Sequence, residues 1–232
     1  MSQLSANLFH LSFQALRTVV HQYFSSYVYD FKRHTIVLQD ADQNPIGSIR
    51  LPLHLALNPD LSIITDEAHV LYLSIESSYG AIQMMEGDEN VYHTTFGAYM
   101  TRKKQGFSQI KYLNKKGKSR AGSRVRLAST YEFFEKVNLS LIELFDMYAI
   151  DRIALSCSKT LIPYFYQSKV KCPFEKSDPR LYKIPLHIQQ SNFTNLEAAI
   201  KKLKAPILSY ESQDKDLMEP FIASDELDIL EE

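Results

Sequence analysis

The 232 residues contain no tryptophan, only two cysteines and only seven glycines. The two cysteines, Cys157 and Cys172, form neither a CxxC pair nor a metal-binding spacing with the seven histidines. No apolar run approaches the roughly 20 residues that cross a bilayer, and the N-terminus lacks a signal-peptide pattern. We therefore expect a soluble, cytoplasmic protein with reduced thiols and no membrane contact.

The common catalytic motifs are also missing. The sequence has no Walker loop, no HExxH and no GxSxG, and its carboxylates show no distinctive spacing. Cys157 follows an apolar run without a histidine nearby, which predicts a core thiol rather than a nucleophile. His93 could line a site, although a structural histidine is the commoner case. No cofactor and no metal are predicted.

Apolar residues make up 45% of the chain and aromatic residues 12%, which is typical of a globular protein with a sizeable core. Hydrophobic periodicity, turn residues and capping boxes predict an order of elements. Strands are expected at 34–39, 47–53, 70–76, 79–86, 91–99, 152–156 and 181–186, the last at a sheet edge; helices are expected at 5–28, from Ser123 or Ser129 to about 148, at 160–168 and from Thr194 to Lys204. Antiparallel strands followed by strand–helix alternation predict an α/β fold with a mixed sheet.

Charge is sorted along the chain, although the formal net charge is only −1. Residues 101–126, here called the basic segment, contain ten lysines and arginines and no acidic residue. The rest of the chain contains the other 16 basic residues (26 minus these ten) and all 27 acidic residues. From Glu211 onwards there are nine acidic residues and one lysine, which predicts a disordered tail or an arm that binds an unknown protein. The expected organisation is an N-terminal region (1–69), a main domain (70–210) and a tail (211–232).

The basic segment separates a predicted strand from a predicted helix by about 25 residues. Loops of this length inside a compact domain are usually functional or disordered. Lysines and arginines spread over a glycine-containing loop suit an irregular polyanion such as folded RNA. The alternative is a solvated loop without a partner, and the sorting of charge favours contact with nucleic acid.

Three stretches of the sequence resemble the motifs of one known family. The first is YMTRKKQGFSQ at 99–109, which matches the family's loop at Tyr99, Thr101, Arg102, Lys104, Gln105, Gly106, Ser108 and Gln109. The second is Lys-Gly-Lys at 116–118, followed by Ala-Gly-Ser at 121–123. The third is DPRLYKIPLH at 178–187 with the helix after it. All three stretches resemble the Vms-like release-factor (VLRF) domain family and occur in that family's order between about residues 70 and 205. The zinc-finger, ankyrin and chaperone-binding parts of the eukaryotic members are absent from the sequence, so we expect a stand-alone member of bacterial type.

The resemblance implies an RNase H-like α/β fold and a role in ribosome quality control. The family is related to the catalytic domain of eukaryotic and archaeal peptide-release factors, whose Gly-Gly-Gln loop enters the peptidyl-transferase centre. Eukaryotic members are associated with removal of the CCA end of tRNA. The implied substrate is therefore peptidyl-tRNA on stalled ribosomes or large subunits, cleaved by strand scission or ester hydrolysis without a metal.

The resemblance also assigns roles within the basic segment. Gln109 would position the attacking oxygen, Ser108 would orient Gln109, and Gly106 would let the loop bend. The expected RNA-binding residues are Arg102, Lys103, Lys104, Lys111, Lys116, Lys118, Arg120, Arg124 and Arg126. Phe107 stands where the family has a second glycine, and Ala98 stands where eukaryotic members have an arginine. These departures leave open a non-catalytic ribosome- or tRNA-binding factor that retains the loop.

Overall fold

The structure is a computed structural model that describes residues 3–76, 79–97 and 119–222, with residues 119–128 as backbone only. Strands and helices are mixed, which confirms the α/β class. The RNase H-like detail stays a prediction. The chain separates into two compact units, residues 69–198 and residues 1–68 with 199–232. They are called the central unit and the terminal unit.

The elements follow in chain order. The strands are β1 (Gln3–Asn7), β2 (Ser26–Asp30), β3 (Thr35–Gln39), β4 (Pro45–Arg50), β5 (Ala56–Leu57), β6 (Ile63–Thr65), β7 (His69–Glu76), β8 (Tyr79–Glu86), β9 (Glu89–Gly97), β10 (Arg152–Cys157), β11 (Leu181–Lys183) and β12 (Ile207–Glu211). The helices are α1 (Phe13–Tyr23), α2 (Ser119–Met147), α3 (Ile162–Gln167), α4 (Phe193–Leu203) and α5 (Glu219–Ile222), with a 3₁₀ helix at Ser212–Met218.

The central unit contains a five-stranded sheet in the order β11-β10-β7-β8-β9. The strands β7, β8 and β9 form an antiparallel meander, whereas β10 runs parallel to β7 and β11 parallel to β10. The chain reverses between β8 and β9 at Gly87, whose φ of 55° lies in the left-handed region that glycine adopts without strain. The predicted meander and the predicted edge strand, β11, are confirmed.

The helix α2 packs through the apolar stripe that the sequence predicts. Phe134, Val137, Leu141 and Leu144 recur every three or four residues and are fully buried. They join Leu71, Leu73, Ile82 and Met84 of the sheet in one hydrophobic core. The helix begins at Ser119, however, and so Ser129 lies inside it and forms no capping box at its start.

The terminal unit contains an antiparallel sheet in the order β1-β12-β4-β3-β2. Its core includes Leu16 and Val20 of α1 and the strand residues Ile36, Ile49 and Leu208. The single helix predicted at 5–28 is wrong. Residues 3–7 pair with β12, Ser12 caps α1 by accepting a hydrogen bond from the Ala15 N–H, and the chain is extended again from Phe24.

The predicted tail is ordered over its first half. Residues 212–222 form the 3₁₀ helix and α5, and Met218 and Phe221 are fully buried in the core of the terminal unit. The prediction of disorder is wrong for residues 211–222, because two apolar side chains three residues apart anchor an otherwise acidic stretch. The remainder, 223–232, lies outside the described residues.

Thr194 lies inside α4, and Asn192 instead accepts the capping hydrogen bond from the Asn195 N–H at 2.8 Å. In the described part of the chain, no helix is long and apolar enough to cross a membrane.

Candidate functional site

The basic segment is entered from β9, which is an edge strand of the central sheet. β9 pairs with β8 over its whole length, and the cross-strand partner of Gly97, its last residue, is Tyr79. The next described residue is Ser119, the first residue of α2. The site is therefore framed by the end of one strand and the start of one long helix.

Aromatic packing joins the two framing elements. Phe96 of β9 and Phe133 of α2 contact each other edge to face, with ring centroids 6.4 Å apart. Phe133 also lies over Gly80 of β8, where an added Cβ would come within 3.1 Å of the Phe133 ring. Gly80 is the cross-strand partner of Phe96, and its missing side chain makes room for Phe133. The apolar stripe that the sequence predicts for α2 includes Phe134 but not Phe133, whose burial the glycine in β8 could have indicated.

A second contact fixes the direction of α2 relative to β9. The Tyr92 hydroxyl and the Ser140 hydroxyl are hydrogen-bonded at 3.2 Å. From Phe96 to Tyr92 the strand runs backwards, whereas from Phe133 to Ser140 the helix runs forwards, so the two elements are antiparallel. Because Ser119 lies 14 residues before Phe133, the helix begins about 21 Å along its axis beyond the contact between Phe133 and Phe96.

The structure describes only part of the predicted site. Of the predicted RNA-binding residues, the three at positions 120, 124 and 126 lie in the first turns of α2, so this part of the predicted loop is helical instead. The predicted catalytic residues Gln109, Ser108 and Gly106 lie outside the described residues, as do Arg102, Lys103, Lys104, Lys111, Lys116 and Lys118.

The opposite end of α2 is held by a buried amide and a cluster of aromatic rings. Asn138 is fully buried and its Nδ2 donates hydrogen bonds to the carbonyls of Phe165 and Val170 at 3.0 and 2.8 Å. Phe134 contacts Phe165, and Phe145 stacks on Phe174, with centroids 5.9 and 5.8 Å apart. These contacts anchor the second half of the helix, which is the base from which the first half extends.

The Asp-Pro-Arg stretch of the family resemblance belongs to this base. Arg180 donates to both carboxylate oxygens of Asp178, at 3.0 and 2.8 Å, and to the Ile150 carbonyl at 3.1 Å. Its guanidinium also lies 5.4 Å from the centre of the Phe145 ring. The hydrogen bonds from Arg180 lower the pKa of Asp178, and Asp178 in turn raises the pKa of Arg180. The contacts of this pair support a structural role at the end of α2.

The cysteines are poor candidates for nucleophiles. Burial raises the pKa of the Cys157 thiol to about 12 and that of Cys172 also to about 12. Both thiols are therefore protonated at neutral pH, and both pack against the core of the central unit. Among the side chains that the structure describes, no group of three or more His, Cys, Asp and Glu residues could hold a metal ion.

The sequence matches the profile of a known protein family. The sequence profile of bVLRF1, the Bacteroidetes VLRF1 release factor, matches residues 67–210, which is more than half of the chain. The chain belongs to this family. Membership supports a release-factor-like role and implies, in general, interaction with the ribosome.

A solved structure described as "Vms1 mitochondrial localization core" is 14% identical, with a TM-score of 0.44, and the alignment covers 86% of this chain and 95% of that chain. No curated protein matches the sequence.

Proposed function

We propose that this bVLRF1 family member cleaves peptidyl-tRNA on stalled ribosomes or on large subunits and so frees the nascent chain. The observation that carries the proposal is the family match, because residues 67–210 include the whole basic segment with Gln109. The framing elements support it, since α2 begins about 21 Å beyond its contact with β9 and carries part of the basic segment away from the sheet.

The proposed chemistry needs positioning and charge. The side-chain amide of Gln109 and neighbouring backbone N–H groups would hold the attacking oxygen and the developing negative charge. The lysines and arginines of the basic segment would bind phosphates of the tRNA end or of ribosomal RNA. Neither role requires a metal.

We favour cleavage of the acceptor strand over hydrolysis of the ester. The segment has Gln-Gly-Phe-Ser-Gln at 105–109 instead of the Gly-Gly-Gln of the release factors that the family resembles. In strand cleavage, a ribose 2′ oxygen loses its proton and attacks the adjacent phosphorus, while the bond to the 5′ oxygen breaks and that oxygen takes up a proton. The products are a shortened tRNA with a 2′,3′-cyclic phosphate and a peptide on a short 3′ fragment.

The test incubates the protein with stalled peptidyl-tRNA complexes and resolves the 3′ end of the tRNA. A shortened tRNA supports strand cleavage, whereas a full-length tRNA without its peptide would establish hydrolysis instead. Gln109→Ala should reduce product formation about 10²-fold or more, as loss of one positioned oxyanion donor does, and binding should survive. Asn114→Ala, an amide in the same segment outside the matched motif, is the control and should retain activity.

The second candidate is a non-catalytic ribosome- or tRNA-binding factor. It is favoured by Phe107 and Ala98, which depart from the family's loop. A phenylalanine makes backbone conformations with positive φ costly where a glycine adopts them freely. Binding to ribosomes without any tRNA product, in the wild type and in Phe107→Gly alike, would support this candidate over the enzyme.

A further inference from the structure

A row of exposed residues lies along β9, the strand that precedes the basic segment, and includes one residue of the neighbouring strand β8. His93, Thr95 and Gly97 alternate along β9 and therefore share one face of the sheet, and Tyr79 is the direct cross-strand partner of Gly97 on that face. All four are exposed, and Tyr79 is exposed to 51%. Together with Phe193, which contacts His93, they are called the aromatic strip.

The two ends of the aromatic strip present rings. At one end the His93 imidazole lies against Phe193, with centroids 4.5 Å apart. At the other end, a Cβ added at Gly97 would meet no described atom within 4 Å, so the Tyr79 ring does not cover the glycine across the strand. Covering a glycine is a common structural role for an aromatic residue, and Tyr79 does not perform it.

The spacing of the strip suits an extended chain of nucleotides. His93 and Gly97 are four residues apart on β9, so the two ring sites are about 13 Å apart. Thr95 lies between them with an exposed hydroxyl that can donate or accept a hydrogen bond. Aromatic rings next to a positively charged stretch are the combination by which proteins hold single-stranded nucleic acid.

Charge identifies the occupant. The chain reaches the basic segment four residues after Gly97, and that segment has ten positive charges and no negative one. An RNA whose phosphates lie on the basic segment would bring its bases to the adjoining strip. Unpaired bases, in contrast to a duplex, can stack on exposed rings.

We propose that the aromatic strip binds unpaired RNA bases by stacking on Tyr79 and on the His93–Phe193 pair. The proposal rests on the proposed function, since it deepens the contact between the basic segment and RNA. The aromatic strip would add a base-binding surface next to the start of the basic segment. Stacking there would fix the position of an RNA end relative to Gln109.

The test measures binding of the full chain to an unstructured RNA 12-mer that contains 2-aminopurine. Tyr79→Leu and His93→Leu should each weaken binding about tenfold, whereas Tyr79→Phe, which retains the ring, should bind like the wild type. Stacking should also quench the 2-aminopurine fluorescence in the wild type and less in Tyr79→Leu. Tyr23→Leu is the matched control, because Tyr23 is exposed to 54% in the terminal unit.

Salt dependence separates this proposal from the proposed function. Stacking releases no counterions, so Tyr79→Leu should leave the slope of log affinity against log salt unchanged. Replacing Lys116, Lys118 and Arg120 by glutamine should make that slope shallower by about 2, at roughly 0.7 per phosphate contact. If the triple variant has an altered slope and Tyr79→Leu binds like the wild type, the proposal of base binding by the aromatic strip is overturned, whereas RNA contact by the basic segment is supported. An unchanged slope in the triple variant would overturn RNA contact by the basic segment, and equal losses in Tyr79→Leu and Tyr23→Leu would overturn stacking.

Discussion

The basic segment and the acidic stretch from Glu211 have opposite charge, yet both continue into packed structure at one end. The acidic stretch is anchored by Met218 and Phe221, which are fully buried. The basic segment runs into α2, whose later residues Phe133 and Phe134 are buried. A strong excess of one charge therefore does not exclude packed structure. The determining feature is an apolar side chain every three or four residues among the charges.

The largest effect is expected from a truncation that removes the buried residues of the acidic stretch. A chain that stops after Glu211 loses Met218 and Phe221, and should lose about 3–6 kcal/mol of unfolding free energy from apolar burial. Phe24 would lose its stacked partner, whose ring centroid lies 5.4 Å away. The midpoint of urea unfolding measures this loss.

The matched truncation stops after Ile222 and removes only residues 223–232. It takes away five negative charges and none of the buried side chains described above, so the urea midpoint should change little. Equal midpoints for the two truncated chains would contradict the proposed anchoring by Met218 and Phe221.

A slightly smaller effect is expected at the buried end of α2. Phe134→Ala should cost about 3–5 kcal/mol of unfolding free energy, because it leaves a cavity beside Phe133 and Phe165. Leu139→Ala on the same helix is the control, since Leu139 is 51% exposed and should cost less than about 1 kcal/mol. Urea unfolding of both variants distinguishes packing from helix propensity, and similar losses in the two would show that the apolar stripe does not anchor α2.

The smallest expected effect is electrostatic and depends on pH. The pKa of Asp178 is lowered in the folded protein, so its ion pair with Arg180 stabilises the fold above the unfolded pKa of about 3.9 and is lost as pH falls through the lower folded value. Asp178→Asn should cost about 1 kcal/mol at pH 7, since Arg180 is 35% exposed, and this cost should shrink once the pH falls below about 3.9 and be lost as the pH falls through the lower folded value.

Thermal unfolding of wild type and Asp178→Asn from pH 7 to pH 2 measures that dependence. Asp146→Asn is the control, because Asp146 is an exposed carboxylate near the end of α2. Its difference in thermal stability from the wild type should be small at every pH. A difference between wild type and Asp178→Asn that persists at pH 2 would assign the effect to packing rather than to charge.

Local patterns predicted the central unit well. The strands β7, β8 and β9 follow from two runs of apolar residues and one of alternating character, with a glycine at the turn, and α2 follows from a regular apolar stripe. These signals lie within one element or between neighbours in the chain. The third stretch of the family resemblance, residues 178–187, is recognisable in the sequence. Its structural role at the end of α2 depends on Phe145 and Ile150, which are distant in the chain.

The terminal unit was harder to predict because its pairing is not local. β1 pairs with β12, about 200 residues later, and no local pattern indicates that partner. Phe9, which is 75% exposed in the turn before α1, extended the apparent helical period and hid the end of β1. For the candidate site, motif and charge predict Gln109 and the basic residues, which stays a prediction, whereas the packing of Phe133 over Gly80 is visible only in the structure.

The projecting first half of α2 also acts as a ruler. Each helical residue adds about 1.5 Å of length and about 100° of rotation, so the 14 residues from Ser119 to Phe133 set both the reach and the heading of the chain that enters the helix. Seven additional residues would extend the reach by about 10 Å with nearly the same heading, whereas two would turn it by about 200°. The number of residues in this half therefore sets the position and direction in which the basic segment joins the helix, whichever side chains the half contains.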